Sequence, residues 1–112
     1  MDFGVDLKSN FNKNRSMDKN PDPFQKFRDL LNDTYQFPCT YPHKFIGKDS
    51  PIFRSSVVEF EKKFIGLSRM GEKSSASGKH VSLTYEYLAA SADDIILLTT
   101  ETHKINDVIY IL

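Results

Sequence analysis

Three patterns in the 112-residue sequence predict an α+β fold in which helices cover one face of a sheet. Phe53, Val57, Phe60 and Phe64 recur at spacings of 4, 3 and 4, which is the apolar stripe of an amphipathic helix. Val81, Leu83, Tyr85 and Tyr87 alternate with Ser82, Thr84 and Glu86, the period of a half-buried strand. Val108–Leu112 is an apolar, β-branched run suited to a strand.

Residues 1–22 are rich in Asn, Asp, Lys and Ser. Apart from Met1 and Met17, their larger apolar residues are Phe3, Val5, Leu7 and Phe11. Such a segment cannot bury enough surface to offset its ordering entropy, so it reads as a mobile tail. Residues 23–34 read as one short amphipathic helix packed on its own domain. Asp22 can cap it, Pro23 suits a first helical position, and Phe24, Phe27, Leu30 and Leu31 share a face until the helix ends near Asn32–Asp33. Residues 35–112 form the compact domain. A domain this small buries only roughly 60% of its unfolded surface, so an added helix or a second copy would help it.

Within that domain Pro38 and Pro42 precede His43-Lys44-Phe45-Ile46. Proline cannot donate to a ladder, so the first strand starts after Pro42 or holds Pro42 where its nitrogen faces no neighbour; Gly47 closes it. Ser50-Pro51 is a hydroxyl cap followed by a preset φ, and it opens the phenylalanine helix, which Gly66 stops. Leu67–Lys73 is the second strand, Ser74–Gly78 a turn, and the alternating run the third strand, so the pair makes a hairpin. Ser91-Ala92-Asp93-Asp94 resembles a capping box. After it Ile95, Leu98, Thr102 and Ile105 mark a second helix, broken at Asn106-Asp107 before the last strand.

The order strand, helix, strand, strand, helix, strand is the ferredoxin-like β-α-β-β-α-β arrangement, here with an N-terminal extension. Right-handed crossovers put both helices on one face and leave the other open. Phe45, Tyr85, Tyr87 and Tyr110 are available to give either face aromatic surface.

Phe37-Pro38, Lys44-Phe45-Ile46-Gly47, Ser75-Ala76-Ser77-Gly78 leading to Ser82-Leu83-Thr84, and the closing Val108-Ile109-Tyr110 resemble the YbeD-like family of small bacterial proteins of undefined function. The resemblance spans residues 37–112. It implies the same ferredoxin-like fold, similar to the ACT regulatory domain. The chain departs from the family pattern in two places: residues 1–34 extend beyond the usual start, and His80 stands where an aromatic residue is expected after the glycine turn.

Composition narrows the function. Fifteen Lys plus Arg balance fifteen Asp plus Glu, which argues against a binder that relies on bulk positive charge. The single cysteine, Cys39, excludes an internal disulfide and a multi-cysteine zinc site. No apolar run approaches the ~20 residues of a membrane span, and the first residues carry no signal-peptide core. The expectation is a soluble, cytoplasmic protein.

No catalytic or metal constellation emerges, and no cofactor is expected. Gly78-Lys79 fails the Walker A spacing, because Lys73 stands where glycine is needed and His80 follows. His43, His80 and His103 lie in separate elements, and His103 suits the negative end of the second helix. An extended segment would hold Cys39 and His43 about 13 Å apart, too far for thiol activation. Asp93-Asp94 and Glu59/Glu61 read as solvated charge. The reading is a non-enzymatic regulatory or adaptor domain, homodimeric, that binds a small effector or protein partner. It would do so through the open sheet face or the 71–80 loop, with Lys44, Gly47, Lys73, Ser75, Gly78, Lys79 and His80 as candidate residues and the turn's backbone N–H groups as possible anion donors. The alternative is an RNA-binding sheet using Tyr85 and Tyr87. It is disfavoured by Glu86 and by the face those tyrosines share with Val81 and Leu83.

Overall fold

The computed structural model describes residues 22–112; most of the segment read as a tail lies outside them. The elements are α1 (Gln25–Thr34), β1 (Cys39–Lys48), α2 (Pro51–Lys62), β2 (Leu67–Ser74), β3 (His80–Ala89), α3 (Ala92–His103) and β4 (Val108–Ile111). The four strands form one antiparallel sheet in the order β2-β3-β1-β4, the ferredoxin-like order.

The helices begin where the sequence places their caps. Ser50 Oγ accepts from Phe53 N at 3.1 Å with Pro51 in the first turn. Ser91 Oγ accepts from Asp94 N, and Asp94 Oδ2 accepts from Ala90 N at 2.8 Å. The stripes point inward. Phe53, Val57, Phe60 and Phe64 of the α2 segment are buried, as are Ile95, Leu98, Thr102 and Ile105 of the α3 segment. They meet Phe45, Val81, Leu83, Tyr85 and Tyr87 from the sheet. The rings interlock: Phe45 lies stacked 5.5 Å from Tyr85 and edge-on to Phe60 at 5.8 Å.

α1 starts two residues later than Pro23. Asp22 Oδ1 instead accepts from Phe24 N, closing a turn ahead of the helix. It packs against α3: Leu31 is buried, Phe27 half-buried, and Arg28 reaches Asp93 at 2.9 Å. Phe24 and Leu30 stay exposed, so only part of the apolar stripe is covered.

β1 begins at Cys39 and runs through Pro42. Lys44 accepts from Leu112 and Lys48 donates to Asp107, so the even-numbered residues of β1 direct their backbone toward β4. β4 pairs only with Phe45–Gly47, and Pro42 therefore loses no ladder bond. Gly47 is buried, and a Cβ there would lie 2.1 Å from the Phe53 ring. It stays glycine so that α2 can close on the sheet. No helix among the described residues is long and apolar enough to cross a membrane.

Candidate functional site

Strand registers define the uncovered face of the sheet. One rung crosses all four strands as Lys73, Ser82, Ile46 and Tyr110. The next carries Gly71, Thr84 and Lys44; a third carries Ser68, Glu86 and Pro42; Leu88 pairs with Thr40, and Lys48 with His80. The centre is built from small polar side chains. Phe45, Tyr85 and Tyr87 all fall on the covered side, which leaves Tyr110, 59% exposed, as the aromatic residue of the open face. The two tyrosines of the RNA alternative are thus core residues and cannot stack bases.

Charge separates the faces further. On the helix side the arginines are paired, Arg28 with Asp22 and Asp93, Arg54 with Asp49 and Glu72, Arg69 with Glu61 and Glu72; Lys62 pairs with Glu59 and Lys63 and Lys104 with Glu101, while Lys26 of α1 has no carboxylate partner among the described residues. The Arg54 guanidinium holds the Asp49 and Glu72 carboxyls below their ordinary range. Tyr85 extends this network by donating to Glu61 at 2.6 Å; burial, then that carboxylate, raises its phenol. Among the described residues, Lys44, Lys48, Lys73 and Lys79 have no carboxylate within ion-pairing distance. All four sit on the open face or in the hairpin turn at its end. A depression of about 270 Å³ lies at this end of the face, lined by Ile46, Lys73, Ser75, His80 and Ser82, with Lys73 the lysine that borders it.

The candidate residues separate accordingly. Lys44, Lys73 and His80 come together on the open face, and Ser75, Gly78 and Lys79 form the adjoining turn, where Gly78 takes φ +76°. Gly47 is removed from the group, because it faces Phe53 and serves packing. Most of the turn's backbone donors are already engaged, Ala76 N and Ser77 N being the exceptions among the N–H groups of residues 75–80. Ser75 N donates to His80 O, Gly78 N to Ser75 O, His80 N to Ser75 Oγ, and Lys79 N to Ser77 Oγ. An anion would meet lysine side chains there, with the Ala76 and Ser77 N–H groups as the remaining backbone donors. Sequence reading missed Lys48 and Ile46, although both share the parity of Lys44 on β1.

The remaining reactive groups are accounted for elsewhere. His43 is buried with its Nε2 2.9 Å from Thr102 Oγ1. The Thr102 hydroxyl donates to Leu98 O, so it accepts from a neutral imidazole. Burial drives the pKa of His43 down to about 4. Cys39 is half-buried four residues away in the same strand, and His43, committed to Thr102, does not serve it as a base.

Comparison with known proteins agrees with this anatomy. The family described as "Protein of unknown function (DUF493)" matches residues 32–112. A UPF0250 protein of Paraburkholderia phytofirmans is 30% identical over a stretch covering 54% of this chain and 72% of its own length. The solution structure of protein HP0495 from H. pylori superimposes with a TM-score of 0.50 at 15% identity, covering 70% of this chain and 86% of that one; this likeness concerns the fold alone.

Proposed function

We propose a binding role for this chain, which belongs to the DUF493 family of proteins of unknown function, the YbeD-like proteins that its sequence resembles. It acts as a non-enzymatic regulatory or adaptor domain that holds an anionic effector, or an acidic segment of a protein partner, on the open sheet face. One observation carries this reading: among the described residues, four of the five lysines without a carboxylate partner, Lys44, Lys48, Lys73 and Lys79, lie on the uncovered face or in its hairpin turn, Lys26 of α1 being the fifth, while the arginines of the helix side are paired. Lysine side chains around small polar residues give a flat, wet surface that attracts negative charge without fixing one shape. The reading includes a cytoplasmic setting, supported by the lone cysteine. It also includes self-association, supported by the exposed Phe24, just ahead of α1, and Leu30 on it.

A thermal-shift panel of anionic metabolites and an acidic peptide tests it, run at low salt on the full chain and on Lys44→Glu/Lys73→Glu. An anion at 100 times its dissociation constant adds about 2.7 kcal/mol and moves the midpoint by roughly 10 °C. The double variant should lose that shift. No shift with any anion, or an equal shift in both proteins, sinks the proposal. Sedimentation tests the dimer, and a strict monomer at high concentration would remove it.

A further inference from the structure

Ile46 interrupts the small polar centre of the open face. It is half-buried and lines the depression at the hairpin end, most of whose lining is apolar surface. Alternation along β1 puts Lys44 and Lys48 on the same face, two residues before and two after Ile46, each roughly 6.8 Å along the strand. Across its rung Ser82 separates Ile46 from Lys73, and Tyr110, 59% exposed, flanks it on the other side.

This arrangement suits a compact anion poorly. A phosphate seated over Ile46 gives up hydration above an apolar floor, and Ser82 Oγ beside it already donates to Lys73 O. Lys44 and Lys48 stand roughly 13–14 Å apart, too far for one such group to answer both closely. Along β1 the face instead repeats as cation, apolar residue, cation at every second position. That is the spacing of side chains on one side of an extended peptide. Glu86, exposed and without a cation partner among the described residues, shares the next rung past Lys44 with Pro42. It bounds the cationic stretch, because a further acid placed there meets like charge.

We infer that the open face receives an extended segment of a partner protein in which one apolar residue has an acidic residue two positions to either side. The apolar side chain lies over Ile46, and the acids face Lys44 and Lys48. Lys73 adds positive charge across the sheet, and Tyr110 walls the apolar position. Charge complementarity selects the occupant, since three lysines without carboxylate partners surround the depression's floor residue. The inference rests on the open-face reading and narrows its anion to the acidic segment of a partner.

Titration of the isotope-labelled full chain with synthetic nonapeptides at low salt, followed by its amide resonances, tests this. The first peptide carries leucine at its centre, glutamate two positions to either side and serine elsewhere. The second has serine at the centre, and the third keeps leucine but moves the glutamates next to it. The first should shift the amides of Lys44–Lys48, Lys73 and Ser82. The second should bind at least about fivefold more weakly, through the lost apolar burial, and the third about threefold more weakly. Lys44→Glu/Lys48→Glu should lose the first peptide and take up its counterpart with lysine in place of glutamate, which shows that the variant is folded. Equal affinity for the three acidic peptides, or the same shifts from inorganic phosphate at comparable affinity, would overturn the inference and leave the open-face reading standing. No shift from any peptide or from phosphate would remove both.

Discussion

Lys44 and Phe45 are neighbours in the chain and stand on opposite faces of one strand. Phe45 is fully buried against Phe53, Phe60 and Tyr85, whereas Lys44 projects among Thr84, Pro42 and Ile46 with no described carboxylate beside it. The covered face is packed and its charges are paired. The open face is neither. A sheet needs only one apolar face to hold its helices, so the other is free to carry charge whose only obligation is toward something outside the molecule.

Substitutions on the two faces sharpen this contrast. Phe45→Ala should cost about 3–5 kcal/mol in chemical denaturation, the range for emptying an aromatic site in a core. Lys44→Ala should stay within about 0.5 kcal/mol. Similar costs at the two positions would mean that the open face is covered in solution.

His43 gives the next largest effect. Its folded pKa of about 4 lies below the ordinary 6.5, so the folded state favours neutral imidazole. Its contribution is complete above pH 6.5 and is lost as pH falls toward 4. The loss has a limiting slope of about 1.4 kcal/mol per unit and a total of about 3 kcal/mol. Denaturation midpoints measured across that window should show the slope, and His43→Phe should flatten it. A wild-type curve that is level from pH 6.5 to 4 would contradict the burial of the ring.

Two glycines make the smallest and cleanest pair. Gly47→Ala drives a methyl into the Phe53 ring and should cost about 1–3 kcal/mol. Gly71→Ala on the open side meets nothing within 4 Å and should be neutral or stabilise by about 0.4–1 kcal/mol, since it restricts the unfolded chain. Thermal midpoints of the two variants should move in opposite directions, or Gly71's should stay put.

How much of this was legible follows from what each residue needs. The phenylalanine stripe and the alternation around Tyr85 declare their buried side locally, and both helices and β3 lie where those patterns put them. The start of β1 was less clear, because Pro42 is admissible only beside an unpaired stretch of edge, which is a tertiary fact. Gly47 reads from sequence as a strand-closing glycine with a binding role, and only the Phe53 ring across from it shows that it serves packing. The open face was legible as a fold consequence, yet which lysines on it lack partners depends on where Arg54, Arg69 and their carboxylates settle. The register shift between Arg69 and Gly71 hides that arrangement from any periodicity.

β2 is almost wholly exposed from Ser68 to Ser74, and apart from its ladder with β3 it is fastened to α2 by Arg69–Glu61 and Glu72–Arg54. Glu72 grips the helix on one side while Lys73, the next residue, projects from the other. The strand therefore presents one charge to the helix side and the next to the open face. The ion pairs Glu72–Arg54 and Arg54–Asp49 thus join the strand that carries Lys73 to the point where β1 enters α2.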